Sequence, residues 1–284
     1  MPELPEVEVL VRHLRPLLRG KRIRAVTVHR KKVIRPDSPR RLRRVLTGAT
    51  FQGVQRRGKY LLFQLQRRGG HPPVLLTGHL GMSGRMFLNR NPAPLPKHAA
   101  VVLDLGRERF IYEDPRYFGR LSLKVEAVKR LGPEPLSRKF TPAVFAAALT
   151  DSRRAIKICL LDQNLVAGIG NIYASEALHR ARINPCCPAG GLTVRQRHTL
   201  WRAMRAVLTE AIRFGSTVPL HHGPGGRSQG RLFYYGLRTE TPRYYRECLQ
   251  VYDRAGQPCR RCRTPIERLV QAGRSTYFCP QCQR

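Results

Sequence analysis

The sequence is poor in acidic residues and in long apolar runs. Its 284 residues include 18 Asp and Glu against 53 Lys and Arg, which gives a formal net charge of +35. No apolar run approaches the ~20 residues that a membrane-spanning helix needs. The N-terminus opens with acidic residues, whereas a signal peptide has a basic start. These absences argue against a membrane-spanning or secreted protein and predict a cytoplasmic one.

The surplus of positive charge predicts a polyanionic partner, because each phosphate that is neutralised releases counterions. A ribosome-bound protein and a membrane-surface protein are alternatives. A third alternative is a proteome that favours arginine, since only nine of the 53 cationic residues are lysines. The charge says nothing about catalysis. The length exceeds what one compact core usually holds, so we expect two domains.

Hydrophobic periodicity changes along the chain. Residues 4–19 have apolar residues at helical spacing, whereas residues 22–126 show short strand patterns between Gly, Pro and Arg clusters, typical of an antiparallel β-sandwich. Helical patterns return between about 140 and 214, after the segment LGPEPLSRKF, which fits a linker. Residues 215–247 are rich in Gly, Arg and Tyr and indicate a long loop. The pattern therefore predicts an α+β protein.

Four of the eight cysteines form two C-x-x-C pairs at the C-terminus, separated by sixteen residues. Thiolates in two such pairs suit a tetrahedral zinc ion. All four ligands come from the protein, so no coordination position remains for water and one purely structural zinc is expected. Between the pairs, QAGRSTYF predicts a hairpin with Arg274 at its tip. The predicted ligands are Cys259, Cys262, Cys279 and Cys282.

The Met-Pro-Glu start is the most reactive feature that the sequence offers. If Met1 is removed, Pro2 has a free secondary amine, and α-amines titrate well below lysine. Such an amine can attack a carbonyl-like carbon and form an iminium, and a neighbouring carboxylate can donate or relay protons. Most Met-Pro starts are inert. Favourable placement in a first helical turn accounts for Glu6 and Glu8 but less well for Glu3.

Two further motifs can be interpreted either as functional sites or as ordinary structural features. Gly168-Ile169-Gly170 precedes a helix that we expect to begin at Asn171, a good cap residue, whose free amides would suit a phosphate. The alternative is an ordinary glycine C-cap followed by an N-cap. Lys59 stands at the start of an apolar strand, where it is either a proton donor in a DNA groove or a simple solvent or phosphate contact.

Several motifs occur in order along nearly the whole chain: MPELPEVE, VQRRGKYLL, HLGMSG, KHAAVVL, DPRYFG, LGPEPL, AIKICLLDQNLVAGIGNIYASEAL and the terminal cysteine pairs. Together they resemble the formamidopyrimidine-DNA glycosylase family. The resemblance implies an N-terminal antiparallel β-sandwich with flanking helices over 1–130. It also implies a helical domain with a helix–two-turn–helix and a lesion-capping loop over 131–248, and a zinc ribbon over 249–284.

The resemblance implies a monomeric, nucleoid-associated repair enzyme that acts on damaged double-stranded DNA. It would remove oxidised purines such as 8-oxoguanine and formamidopyrimidines and cleave the abasic site by β,δ-elimination. Pro2 would form the Schiff base, Glu3 would donate or relay a proton, and Lys59 and Arg274 would serve β- and δ-elimination. Three residues would fill the gap left by the flipped nucleotide: Met82, Arg116 and Phe118. Further DNA contacts would come from His98, Arg116, Arg153, Lys157 and Asn171.

The chain departs from the family pattern in two places. Tyr117 stands where the family often has the second arginine of a DPRRFG motif, and residues 216–247 differ from the usual capping loop. Lesion preference therefore stays open, and a pyrimidine-directed relative is the main alternative. A catalytically silent lesion-binding protein and an RNA-binding basic zinc protein are further alternatives. For Met82 and Phe118, core packing is the alternative to gap filling.

Overall fold

The computed structural model describes residues 2–69, 71–214 and 249–284, which form two compact units. The described part of the first unit contains Pro2 and Glu6–Lys129, and that of the second contains Glu3–Pro5, 130–214 and 249–284. None of the helices in these ranges is long and apolar enough to cross a membrane. Met1 and the predicted loop 216–247 lie outside the described residues. The division at residues 130 and 248 stays a prediction.

The first unit contains two four-stranded antiparallel sheets, with strand orders β1-β6-β7-β5 and β2-β3-β4-β8. Phe51 and Phe63 of one sheet contact Phe110 of the other at ring distances of 6.4 and 5.4 Å, so the sheets face each other across a shared core. The predicted β-sandwich is confirmed. Its strands are β1 (Ala25–Val28), β2 (Thr50–Arg57), β3 (Tyr60–Gln66), β4 (Val74–His79), β5 (Arg85–Arg90), β6 (Ala99–Asp104), β7 (Glu108–Glu113) and β8 (Arg120–Ser122).

Helices flank these sheets. The long helix α1 (Leu4–Leu18) buries its predicted apolar stripe in the sandwich core. A 3₁₀ turn (Lys31–Ile34) and α2 (Pro39–Leu46) are additions to a region where the sequence pattern predicts only strands, and α3 (Glu126–Lys129) follows that region. The available signal for α2 is its start, because Ser38 caps it by accepting a hydrogen bond from the Arg41 amide at 3.1 Å.

The second unit is mainly helical, as predicted. It contains α4 (Pro142–Leu149), α5 (Ile156–Leu161), α6 (Asn171–Ala181) and α7 (Val194–Arg213), followed by the hairpin of β9 (Glu267–Gln271) and β10 (Arg274–Phe278). Thr193 begins α7 with a capping box formed with Gln196. Leu4 packs in the core of this unit, and its amide donates to the Gly168 carbonyl at 3.0 Å. Leu4 is thereby fixed beside the turn that precedes α6.

Candidate active site

The amides at the N-terminus of α6 bind a carboxylate of the same chain, that of Glu3. The Glu3 carboxylate accepts hydrogen bonds from the amides of Gly170 at 2.8 Å, Ile172 at 2.9 Å and Tyr173 at 3.4 Å. Its side chain is buried, at 1% exposure. The amides and the helix dipole stabilise the ionised carboxylate. The dipole of α1 explained the position of Glu3 poorly. Its hydrogen bonds show that Glu3 belongs instead to the start of α6.

This arrangement corrects the expected role of the α6 start. The helix begins at Asn171 as predicted, but its N-cap is Gly170, which has no side chain of its own to cap the helix. The amides that we expected to be open to a phosphate are bound to Glu3. The Asn171 side chain instead donates from Nδ2 to the Ser275 carbonyl at 2.8 Å, while its buried Oδ1 accepts no hydrogen bond among the described residues.

The glycine turn before α6 is shaped by close packing. Gly168 has φ +86°, and a Cβ at this position would lie 2.8 Å from the Leu4 side chain. Gln163 holds the turn from both sides, accepting from the Gly168 amide at 2.9 Å and donating to the Ile169 carbonyl at 2.7 Å. The turn therefore requires glycine because Leu4, the neighbour of Glu3, occupies the space that a side chain would need.

Lys157 of α5 is fully buried and contacts the ribbon hairpin. Its Nζ donates to Thr276 Oγ1 at 2.6 Å and to the Ser275 carbonyl at 3.0 Å. Burial lowers the pKa of Lys157 to about 8, an effect that the negative charge of Glu3 opposes and the positive charge of Arg274 strengthens. Both of these hydrogen bonds of the amine go to β10, and the phosphate contact that the resemblance implies stays a prediction.

Arg274 lies where the sequence predicts it, at the tip of the hairpin. Gln271 pairs with Arg274, so the connection has only two residues, Ala272 and Gly273, with φ of +46° and +72°. Two positive φ values are the signature of the type I′ turn that matches strand twist. Arg274 is exposed and immediately follows this turn, while Lys157 and Asn171 bind the next residues of β10.

The four predicted cysteine ligands form one cluster. Their Sγ atoms all lie within 4.8 Å of one another, with Cys262 at 3.4 Å from both Cys279 and Cys282 and Cys259 at 4.0 Å from Cys282. A tetrahedral zinc with Zn–S bonds of about 2.3 Å needs sulfur separations of about 3.8 Å. The cluster fits a zinc ion held by four thiolates, which would tie the ends of the ribbon together.

In the first unit, Lys59 directly precedes β3 and is only 7% exposed. This burial does not fit a fully solvated side chain, and the choice between a proton donor and a phosphate contact stays open. His79 at the end of β4 lies nearby and was not predicted as a site residue. Burial, together with the positive charges of Lys59 and Arg120, lowers the pKa of His79 to about 4. A neutral His79 therefore adjoins the cationic Lys59.

The three predicted gap-filling residues lie on two neighbouring loops of the first unit. Met82 is 47% exposed and Phe118 is 50% exposed, which excludes core packing for both. The Arg116 guanidinium lies 4.9 Å from the centre of the Phe118 ring. A Cβ on Gly119 would lie 2.4 Å from the His79 carbonyl oxygen, so this residue must be glycine for the loops to approach.

Asp114 organises these loops and was missed by the sequence analysis. Its fully buried carboxylate accepts hydrogen bonds from the amides of Gly119 at 2.8 Å and Arg116 at 3.2 Å, and from the Ser83 hydroxyl at 2.8 Å. One carboxylate thus joins the Met82 loop to the Phe118 loop. The available signal was its position at the start of DPRYFG, two residues before Arg116.

The remaining residues that were predicted to contact DNA are His98 and Arg153. His98 is half-buried and precedes β6, and its carbonyl accepts from the Asp114 amide at 3.2 Å. Arg153 is exposed just before α5. Tyr117, the departure from the family motif, has φ +54°, and its hydroxyl accepts from Arg30 Nε at 3.0 Å. Arg30 therefore binds the side chain that replaces the usual arginine.

Family models match three parts of the chain. They are the formamidopyrimidine-DNA glycosylase N-terminal domain over residues 1–121, the formamidopyrimidine-DNA glycosylase H2TH domain over 131–220, and the zinc finger found in FPG and IleRS over 256–284. The last match, together with the sulfur cluster, confirms the prediction of one structural zinc ion.

Whole-chain relatives agree with these matches. A formamidopyrimidine-DNA glycosylase of Symbiobacterium thermophilum is 42% identical over 293 residues, covering 100% of this chain and 89% of the relative. A variant of Lactococcus lactis FPG in complex with DNA containing Fapy-dG is 34% identical with a TM-score of 0.85, and each chain is covered to 100%.

The Lactococcus lactis Fpg in complex with DNA containing an abasic site is 33% identical with a TM-score of 0.85, and each chain is covered to 99%. These matches confirm the α+β fold and the family resemblance over the whole sequence. The chain belongs to the formamidopyrimidine-DNA glycosylase family of base-excision-repair enzymes.

Proposed function

We propose that the chain, once Met1 is removed, excises oxidised purines from duplex DNA and cleaves the resulting abasic site by β,δ-elimination. Family membership supports the reaction class, and the Lactococcus lactis relative binds DNA that contains Fapy-dG or an abasic site. We further propose that the protein acts as a monomer in the bacterial cytoplasm, at the nucleoid. The proposed division is a catalytic domain over 1–130, a helical domain over 131–248 and a zinc ribbon over 249–284.

The observation that carries the proposal is the buried Glu3 carboxylate beside Pro2. Three amides fix this carboxylate in place, next in the chain to Pro2, where it can relay a proton. The Pro2 amine attacks C1′ of the damaged nucleotide, and the C1′–N bond breaks as the base leaves with the electron pair and takes up a proton from the solvent. Glu3 takes the proton that the amine loses and passes it to the sugar ring oxygen, which opens the ring to an iminium.

Two eliminations then cleave the strand. Loss of a C2′ proton from the iminium breaks the C3′–O bond, and loss of a C4′ proton then breaks the C5′–O bond. In each step a DNA end leaves as a phosphate that keeps the electron pair of the broken bond. The buried Lys59 is the proposed proton donor for the first elimination. The exposed Arg274, at the tip of a rigid two-residue turn, is the proposed donor for the second.

The proposed DNA contacts divide into two kinds. Met82, Arg116 and Phe118 fill the gap that the flipped nucleotide leaves, and their exposure on loops joined by Asp114 supports this. We assign Lys157 a positioning role on β10 before any direct contact with DNA, because both of its hydrogen bonds go to that strand. The proposed backbone contacts are His98, Arg116, Arg153 and Asn171.

Covalent trapping tests the mechanism. The processed protein is incubated with duplexes that contain 8-oxoguanine, a formamidopyrimidine, an oxidised pyrimidine or an abasic site, and borohydride then reduces the iminium to a stable cross-link. We expect trapping on purine lesions and abasic sites. The matched control is the same sequence with Met1 retained, which lacks a free proline amine and should not form a cross-link.

Each alternative predicts a different result. Equal trapping by the chain that retains Met1 would refute attack by Pro2. Tight lesion binding without trapping or cleavage would identify a silent binding protein. A clear preference for the oxidised pyrimidine would assign the chain to a pyrimidine-directed activity.

A further inference from the structure

Residues 30–44, here called the basic segment, concentrate positive charge on one part of the first unit. Eight of these fifteen residues are Lys or Arg, compared with 53 of 284 in the whole chain, and Asp37 is the only acid among them. A composition that merely favours arginine would spread the charge evenly. The segment contains the 3₁₀ turn Lys31–Ile34 and helix α2.

Asp37, the single acidic residue of the basic segment, stabilises the fold. The buried Asp37 carboxylate accepts hydrogen bonds from the Ser122 hydroxyl and the Leu123 amide, both at 2.8 Å, and it pairs with Arg41 at 3.2 Å. It therefore fixes the segment to β8 and compensates one arginine. The other seven cations of the segment form no ion pair with an acidic residue of the described ranges.

Two exposed arginines of α2 repel each other, although Arg44 lies in the last turn, where the helix dipole favours a cation. Leu42 and Leu46 bury one face in the sandwich core, so Arg40 and Arg44, four residues apart, share the opposite, exposed face. Like charges at this spacing repel, and a cation in the first turn opposes the helix dipole. A polyanion along this face would attract both arginines and offset these two unfavourable terms.

The basic segment adjoins the loop that carries Phe118. Lys32 Nζ lies 5.8 Å from the centre of the Phe118 ring, and Arg30 donates to the Tyr117 hydroxyl at 3.0 Å. A duplex held at that loop presents two rows of phosphates that continue on either side of the lesion. The adjoining polyanion is therefore the backbone of the same duplex.

We propose that the basic segment binds backbone phosphates of duplex DNA beside the lesion, independently of base sequence, with Arg40 and Arg44 as its outermost contacts. This surface gives the protein affinity for undamaged DNA and lengthens its footprint beyond the lesion-contacting loops. The identity of the polyanion rests on the function proposed above, but the contact itself takes no part in the chemistry.

The test compares two double variants that remove the same charge. Arg40→Gln/Arg44→Gln alters the exposed face of α2, and Arg195→Gln/Arg202→Gln removes two exposed arginines from α7 as the matched control. Binding to a long undamaged duplex is measured over a series of salt concentrations. If two phosphate contacts are lost, the slope of log K against log salt becomes shallower by about 1.8 for the α2 variant. The control should keep the slope of the original protein.

Borohydride trapping on a short abasic duplex separates this proposal from the proposed function. We expect the α2 variant to trap at the original yield, because Pro2 and Glu3 are untouched. Equal slopes for the two double variants would overturn the proposal, even if trapping is normal. A structured RNA that competes with the duplex better than undamaged DNA does, and loses this advantage in the α2 variant, would overturn the assignment to DNA.

Discussion

Replacing Glu3 by Gln tests whether its carboxylate holds the start of α6. Gln keeps the length and shape of the side chain but turns one acceptor oxygen into a donor NH₂ group. In either orientation, the buried amide of Gly170 or of Ile172 then faces a donor in place of the oxygen now at 2.8 or 2.9 Å. The variant also removes a negative charge from the positive end of the helix.

The size of the effect follows from these contacts. A buried N–H left without an acceptor costs about 1–3 kcal/mol. Loss of an anion at a partly buried helix N-terminus costs up to about 2 kcal/mol. The variant no longer buries a charge, which offsets part of this loss, so we expect the free energy of unfolding to fall by about 2–3 kcal/mol.

Tryptophan fluorescence provides the assay. Trp201 on α7 is the only tryptophan in the chain, and its Nε1 donates to the Phe140 carbonyl at 2.9 Å in the core of the second unit. Urea unfolding followed at Trp201 therefore reports on the unit that contains Glu3 and α6. The matched control is Glu267→Gln, an exposed acid of the same unit, which should change stability by less than about 0.5 kcal/mol. A Glu3→Gln protein as stable as this control would refute the proposed role of the carboxylate.

Three further predictions follow from the two units. The pKa of His79 is about 4 in the folded protein, compared with an ordinary value of 6.5. Neutral His79 therefore contributes its full stability above pH 6.5, and this contribution is lost as the pH falls towards 4. The free energy of unfolding should vary less across this pH range in His79→Asn than in the original protein. Phe118→Ala should leave stability unchanged but weaken binding to a lesion duplex by about 1–3 kcal/mol, with the exposed Val144→Ala as control; equal affinities in a binding titration would contradict gap filling. Native mass spectrometry should find one zinc per chain, lost in Cys279→Ser and kept in Cys186→Ser, and loss in both or neither would contradict the assigned ligand set.

Features that depend on local spacing were predictable from the sequence. The cysteine pairs, the strand alternation between residues 22 and 126, and the hairpin turn before Arg274 all follow from patterns within a few residues. Helix α2 escaped detection because it is only eight residues long and lies in a region whose pattern predicts strands. Its cues were the capping Ser38, the following proline and two leucines four residues apart.

The motif resemblance named the reactive residues, but only the tertiary structure decided what surrounds them. The partner of Glu3 is 167 residues away in the chain, at amides that the sequence analysis assigned to a phosphate. Lys157 reads as a surface cation but is buried against β10, and Asp114 reads as a turn residue but joins two loops. The sequence determines which chemical groups are present, and their spacing indicates the helices, strands and turns on which they lie. Burial and hydrogen-bond partners depend on contacts between distant segments, and these form only when the chain is folded.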